Sequence, residues 1–231
     1  QKIMKILALD SSGLVASVAV VENDTLLAEY TVNYKKTHSQ TLLPMLDEIS
    51  NMTELDLSTI DAIAVAGGPG SFTGLRIGSA TAKGLGLALE KPLISIPTTA
   101  AIAYNIWDTN KFVCPIMDAR RNQVYTGVYC YTDHRLDTVW EQDTMSIEAL
   151  AEGLNCLDHE VIFLGDGVAV YREKLEALLT IPFSFAPAHV NRQRAAAVGA
   201  LAEVYYKEGK IQTAEAVSYT HLRAHETCAD L

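Results

Sequence analysis

Gly67-Gly68-Pro69-Gly70-Ser71-Phe72-Thr73-Gly74-Leu75-Arg76-Ile77-Gly78 is the stretch whose reading decides the fold. It follows an apolar run, residues 60–66, that reads as a buried strand. It leads into a segment that forms a helix only if something offsets its glycines. Gly74, Gly78, Ala82 and Gly86 recur every fourth residue and line one helical face. Each glycine costs roughly 1 kcal/mol against alanine in a helix interior, and Gly84 adds to the sum. A face without side chains lets another backbone come close. Two readings stand open: tight packing on the chain's own sheet, or a helix built to dock against a partner's helix.

Toward the N-terminus, residues 5–9 form a short apolar strand ending at Asp10, and 15–21 and 25–32 form two more, with Glu22-Asn23-Asp24 as turn chemistry between them. Leu42, Leu46 and Ile49 give residues 38–51 a helical period, with Pro44 starting the helix near Thr41 or bending it. Strand 61–66 and the glycine-striped helix follow. The order β-β-β-α-β-α-β is the signature of a ribonuclease-H-like or actin-like half-domain, with parallel pairing through crossovers. A second cycle begins near Phe112: strands 112–117, 123–131 and 135–141, then a helix 146–154 with Ser146 as N-cap. Strand 161–164 ends at Gly165-Asp166-Gly167, and helices 168–179 and 191–208 close the cycle. Residues 97–110 form the junction. The expected domains are 4–100 and 101–214, with Met4 as the native start.

Residues 217–231 resemble an in-frame translation of a sequencing-library adapter. On that reading the tail is not native. His221 and His225 lie at i, i+4, a spacing that would otherwise suggest a metal pair, and they carry no function.

The bulk numbers narrow the classes. Hydrophobic residues make up 49% and charged residues 20%, which is globular composition. A net charge of −10 argues against nucleic-acid binding by this chain alone, and the tight basic pairs are Lys35-Lys36 and Arg120-Arg121. Cys114, Cys130, Cys156 and Cys228 show no CxxC spacing and read as free thiols of a reducing compartment. No apolar run reaches membrane-spanning length, and residues 1–20 hold a strand with an aspartate in it, not a signal peptide. A cytoplasmic protein with no membrane partner is expected.

Asp10-Ser11-Ser12-Gly13 occupies the turn that meets phosphates in actin-like phosphotransferases, but the Gly- and Thr-rich form of that loop is absent. A polar strand-to-strand turn is the plainer alternative. Residues 67–71 lie between a strand and a helix N-terminus, where N–H groups can hold an anion, although no Gly-Lys-Ser/Thr makes this a Walker A loop. Gly165-Asp166-Gly167 holds the equivalent place in the second half. A vestigial nucleotide or anion site is therefore expected at Asp10, Ser11, Ser12, Gly68, Gly70, Ser71, Gly165 and Gly167. In Asp118-Ala119-Arg120-Arg121 the aspartate pairs with an arginine or orients the turn, and the set hints at a domain interface more than at catalysis. His38, His134, His159 and His189 are scattered, no Gly-x-Ser-x-Gly elbow occurs, and Cys114 has no evident partner base, so neither a catalytic set nor a metal site is expected. A two-metal nuclease needs converging carboxylates, and the end of the fourth strand offers Ala66-Gly67-Gly68 instead.

Four strings carry a resemblance: GGPGSFTGLRIG, the following Ala82-Lys83-Gly84-Leu85, His38-Ser39-Gln40-Thr41-Leu42-Leu43-Pro44, and Asp118-Ala119-Arg120-Arg121-Asn122-Gln123-Val124-Tyr125. Together they resemble the TsaB (YeaZ) family over about residues 4–210. Asp10-Ser11-Ser12 stands where the family usually has Asp-Thr-Ser, and Asn122-Gln123 where Gly-Glu is common. The resemblance implies an actin-like (ASKHA, ribonuclease-H-like) α/β fold of two domains, each a mixed sheet flanked by helices, the second degenerate. It implies a non-catalytic dimerization subunit of the complex that forms N6-threonylcarbamoyladenosine at position 37 of tRNAs reading codons that start with adenine. It implies pairing with the catalytic paralogue TsaD, addition of the small ATPase TsaE, a homodimer when the paralogue is absent, and tRNA reached only through the complex. No cofactor of its own is implied, with ATP and Mg entering in the assembled complex. The docking surface is then expected on two helices, at Leu42, Met45, Leu46 and Ile49 and at Phe72, Gly74, Leu75, Gly78, Ala82 and Gly86, forming a four-helix interface. On that reading Gly78→Leu abolishes pairing and leaves the fold intact. The alternative function is an ATP-dependent small-molecule phosphotransferase of the same superfamily, with Asp10 essential.

Overall fold

The computed structural model describes residues 3–34 and 41–214. The adapter-like tail and the Lys35–Lys36 and His38 readings lie outside the described residues. The chain divides into two units, one running to Thr98 and resuming at Gln193, the other Thr99–Arg192.

The first unit is built on a five-stranded sheet: β1 (Lys5–Asp10), β2 (Val15–Glu22), β3 (Thr25–Asn33), β4 (Ala62–Ala66) and β5 (Leu93–Ile96), in the order β3-β2-β1-β4-β5. The β1-β2-β3 meander is antiparallel, and β4 and β5 add in parallel to β1. Parallel steps need crossovers. α1 (Leu42–Thr53) and a 3-10 turn at Leu57–Thr59 lead from β3 to β4, and α2 (Phe72–Leu89) leads from β4 to β5. β1, β2 and β4 are buried almost throughout, as strands covered on both faces are. One face carries Leu7, Leu9 and Val18 against Leu42, Met45, Leu46 and Ile49 of α1 and Ala82 of α2.

The other face is covered by α6 (Ala195–Lys207), which packs on β1 and β2. This corrects the expected boundary: residues 193–214 belong to the first unit, and the second begins at Thr99. Three contacts hold the helix there. A Cβ at Gly199 would lie 2.7 Å from Val21 Cγ2, so only glycine permits the close approach. Glu29 takes the Arg194 guanidinium at 2.6 Å and the Ala196 N–H at 3.2 Å, while Ala195 N–H donates to Ser17 Oγ at 2.8 Å. Further along, the buried Glu203 carboxylate accepts the Asp24 N–H at 3.0 and 3.1 Å and fixes the β2–β3 turn.

The second unit repeats the plan. β6 (Phe112–Asp118), β7 (Gln123–Thr132), β8 (Arg135–Ser146), β9 (Val161–Leu164) and β10 (Phe183–Phe185) follow the order β8-β7-β6-β9-β10, with α4 (Ile147–Leu157) and α5 (Gly167–Leu178) as its crossover helices. Ser146 caps α4 as its sequence predicts, accepting the Ala149 N–H at 3.1 Å. β8 continues to Ser146, beyond the expected 141, because it stays paired with β7 to the end. The junction helix is α3 (Thr98–Ala103), shorter than the expected 97–110. β10 holds three residues, too few to show a period in sequence.

The glycine face of α2 lies against the chain's own sheet. Gly74, Leu75, Gly78, Ala82 and Gly86 are its buried residues. A Cβ at Gly78 would stand 2.5 Å from Ser11 Oγ and 3.4 Å from Val65 Cγ2; one at Gly86 would stand 2.8 Å from Leu93 Cδ2. Leu42, Met45, Leu46 and Ile49 are likewise at most 5% exposed under α1. Of the ten docking residues expected from the sequence, only Phe72 faces solvent, at 43%. The stripe is internal packing, and the expected Gly78→Leu phenotype is corrected with it.

Gly84 provides the contrast, since among the described residues no atom outside its own helical turn lies within 4 Å of its Cβ position. The same substitution should therefore have opposite signs on one helix. Gly78→Ala displaces the Ser11 hydroxyl from the Gly74 carbonyl and leaves that buried hydroxyl without its acceptor; after alanine's helix preference is credited, a loss of about 1–2 kcal/mol is expected. Gly84→Ala should gain up to about 1 kcal/mol. Urea unfolding of both variants checks this, and equal effects would refute it.

Candidate functional site

In the first unit the phosphate-loop residues come together as a closed joint. Asp10 ends β1 fully buried, its Oδ1 accepting the Ser12 N–H at 2.9 Å and hydroxyl at 2.6 Å. Ser11 Oγ donates to the Gly74 carbonyl at 2.8 Å. The Ser12 carbonyl accepts the Ser71 N–H at 2.7 Å. A Cβ at Gly70 would lie 2.2 Å from that same carbonyl oxygen, so glycine is what lets the loops meet. Gly67 N–H donates to Ile96 O at 2.8 Å, Gly68 N–H to Thr98 Oγ1 at 3.1 Å and Gly74 N–H to Ser71 Oγ at 3.3 Å. The N–H groups expected to cradle an anion at Gly67, Gly68 and Ser71 thus have acceptors within the protein.

The second unit closes its equivalent loop in another way. A Cβ at Gly165 would lie 2.2 Å from the Ile116 carbonyl oxygen, and one at Gly167 3.0 Å from it. Asp166 Oδ1 accepts the Asp118 N–H at 3.2 Å. Burial raises the Asp166 carboxyl above the usual range, and the Asp118 N–H and the Arg192 charge partly offset it. Tyr171 donates its hydroxyl to Asp118 Oδ1 at 3.1 Å. A side-chain carboxylate of the protein occupies the place next to this strand end. Asp118 therefore orients its turn, one of the two roles open to it from the sequence.

Among the described residues, no three His, Cys, Asp or Glu side chains cluster as a metal site would need. Cys114 is buried beside Thr126, and burial pushes its thiol up to about 12, so the nucleophilic thiolate is disfavoured. His134 pairs with Asp108 at 2.6 Å and His159 reaches the Asn110 carbonyl at 2.8 Å, far from one another in role and without a nucleophile between them.

The exposed faces of α1 and α2 offer a surface of a different kind. Ala80, Gly84 and Ala88 are exposed and recur every fourth residue. They are offset by two positions from the buried stripe, about 200° around the helix, and so mark its opposite face. Leu87 beside them is 47% exposed, and Leu43 and Met52 on α1 are 53% and 77% exposed. At the start of α2 the Arg76 guanidinium lies 3.7 Å over the Phe72 ring, which presents a cation–π pair to solvent. The signal for this face was present in the sequence as a second small-residue period, hidden by the stronger glycine one.

A family model described as TsaD: tRNA N6-adenosine threonylcarbamoyltransferase matches residues 25–227 and so reaches into the adapter-like tail. The tRNA threonylcarbamoyladenosine biosynthesis protein TsaB of Bacillus subtilis (strain 168) is 35% identical over 176 residues, 76% of this chain and 77% of the relative. The TsaB protein of Escherichia coli (strain K12) is 33% identical over 170 residues, 71% of this chain and 72% of the relative. Among solved structures, YeaZ from Pseudomonas aeruginosa aligns at a TM-score of 0.79 and 27% identity, covering 92% of this chain and 97% of that one. A polyphosphate/ATP-glucomannokinase from Arthrobacter sp. strain KM aligns at a TM-score of 0.52 and 16% identity over 88% of this chain and 99% of that one, a likeness of fold alone and consistent with the actin-like architecture. By the extent of the family match and the identity to these relatives, the chain belongs to the TsaB (YeaZ) family of tRNA threonylcarbamoyladenosine biosynthesis proteins.

Proposed function

We propose that this chain is the non-catalytic partner-binding subunit of the complex that forms N6-threonylcarbamoyladenosine at position 37 of tRNAs reading codons that start with adenine. It acts in the cytoplasm, pairing with and supporting the catalytic paralogue TsaD, with TsaE joining that pair. In the absence of the paralogue it forms a homodimer through the same face. The observation that carries this reading is Gly84. It sits in the middle of an 18-residue helix, and among the described residues nothing outside its own helical turn approaches its Cβ position. A solvent-facing glycine there costs roughly 1 kcal/mol that the isolated chain does not recover. A helix of another polypeptide laid across Ala80, Gly84 and Ala88 recovers it, because small residues allow the axes to approach to about 8 Å. Leu43, Met52, Phe72 and Leu87 supply the apolar surround that such a contact buries.

Support also comes from the closed loops. The N–H of Ser71, the N-cap of α2, and the N–H of Asp118 at the end of β6 bond to Ser12 and Asp166 of the same chain. ATP and Mg, where they are needed, enter in the assembled complex. Calorimetric titration of Mg-ATP into the isolated chain is accordingly expected to show no binding heat at millimolar nucleotide. Saturable binding would revive the phosphotransferase reading.

The main test is Gly84→Arg. The fold has room for the new side chain, so the thermal midpoint should hold or rise. Affinity for the TsaD protein of the same organism should fall at least about tenfold, since a charge enters the centre of the contact. Modified tRNA made by the reconstituted system should fall with it. Undiminished pairing by this well-folded variant would place the docking surface elsewhere.

A further inference from the structure

We infer that Arg120 and Arg121, carried side by side on the braced β6–β7 turn, contact the phosphodiester backbone of the RNA. The inference rests on the function proposed above. It adds that this chain itself touches the tRNA inside the assembly, where the sequence suggested that only the complex as a whole does.

The backbone of the turn is unusual. Arg120, Arg121 and Asn122 have φ values of 67°, 51° and 62°. The β2–β3 and β7–β8 hairpins each close with two left-handed residues, Asn23 with Asp24 and Asp133 with His134. The β6–β7 turn uses three, and two of them are arginines, whose Cβ atoms crowd the following carbonyl in this region. Such a conformation persists only where its surroundings impose it.

Here they do so from both ends. Asp166 Oδ1 takes the Asp118 N–H at 3.2 Å, and Asp118 Oδ1 takes the Tyr171 hydroxyl at 3.1 Å and the Arg120 N–H at 2.9 Å. Gln123 N–H closes the turn on Arg120 O at 2.9 Å. Asn122 donates to Glu148 Oε2 at 2.7 Å and accepts from Lys174 Nζ. The backbone is thus fixed while the cationic ends stay outside. The Arg120 side chain is 88% exposed and meets Asp118 Oδ2 only at 4.0 Å. Arg121 is exposed and has no ion pair among the described residues.

Guanidinium forks match phosphate oxygens in shape and charge, and a turn whose backbone is already fixed leaves only the side chains to be ordered on contact. The net charge of −10 opposes RNA capture by the free chain, so the pair acts on RNA already held by the assembly. An acidic protein surface has similar chemistry. The RNA is favoured because the relatives are named for making a tRNA modification.

The test uses the assembly of this chain with TsaD and TsaE of its own organism and a fluorescently labelled unmodified tRNA. Anisotropy titrations at 50–200 mM KCl compare wild type with Arg120→Glu/Arg121→Glu and Arg120→Lys/Arg121→Lys. The double glutamate variant should bind about fivefold or more weakly at the lowest salt, with the slope of log affinity against log salt reduced by about 1–2. The lysine variant should keep most of the slope. Unchanged affinity and slope for the glutamate variant overturn the inference. Loss of TsaD pairing by a folded glutamate variant overturns it too, by assigning the arginines to a protein contact. An assembly of wild-type chains without salt-dependent tRNA binding would overturn the proposed function itself, an outcome distinct from both.

Discussion

The interlock between the end of β1 and the first turns of α2 is the constraint on which the first unit depends. The Ser12 carbonyl receives the Ser71 N–H, and the Ser11 hydroxyl reaches the Gly74 carbonyl one turn later. Both bonds require a backbone without side chains at Gly70 and Gly78. With α2 seated so closely, Leu75 and Ala82 are buried and Ile77, Leu85 and Leu89 pack at the edge of the same cluster. Full burial of one such leucine or isoleucine is worth about 1.5–3 kcal/mol. A few of them outweigh the penalty of the three buried helical glycines, roughly 3 kcal/mol. The stripe is tolerated because the sheet returns more than it costs.

The two units show the same topology reached with different residues. Each has a strand whose end must lie under a glycine: Gly70 over the Ser12 carbonyl in one, Gly165 over the Ile116 carbonyl in the other, each with a Cβ position 2.2 Å from the oxygen. The closure then differs. A main-chain carbonyl completes the first joint, and the Asp166 carboxylate completes the second. A carboxylate there does more than fill space, because it passes its constraint through Asp118 to the Arg120 N–H and so sets the β6–β7 turn. The first joint closes main chain on main chain, whereas the second closes on a side-chain carboxylate and ends in a turn that presents charged side chains.

Most of the architecture was legible because strands and helices in this chain keep their own periods. The strand–helix order of both halves, the Ser146 cap and the turn at Asn23-Asp24 follow from local chemistry that tertiary packing did not override. The destination of α6 was not legible. Its buried face, rich in alanine with Gly199, fits any sheet, and the polar contacts that direct it back to the first unit, Glu29 with Arg194 and Ala196, Ser17 with Ala195 and Glu203 with Asp24, join residues far apart in sequence. The docking residues failed for a related reason. Small residues every fourth position report a close approach without reporting what approaches, and the four apolar positions of α1 have the pattern of any helix on a sheet. The phosphate-loop residues were correctly brought together within the first unit, but sequence could not show that their hydrogen bonds close on each other.

One helix can serve two contacts because a glycine's cost has the same size on either face while its compensation does not. On the inner face compensation is visible as displaced atoms at 2.5 and 2.8 Å from the missing Cβ atoms of Gly78 and Gly86. On the outer face no atom of the described residues packs against the Cβ position of Gly84 from outside its own helical turn. Helix propensity alone favours alanine there, and packing within the chain is indifferent. On the function proposed above a slender, closely set body of a partner would supply it, since Ala80 and Ala88 leave the groove open one turn to either side. A helix meets that requirement, whereas a phosphate or nucleotide would seek N–H groups that a helix interior has already committed to its own carbonyls. The outer stripe therefore speaks for a protein partner on α2, and it leaves the arginines on the braced turn of the second unit as the feature suited to RNA.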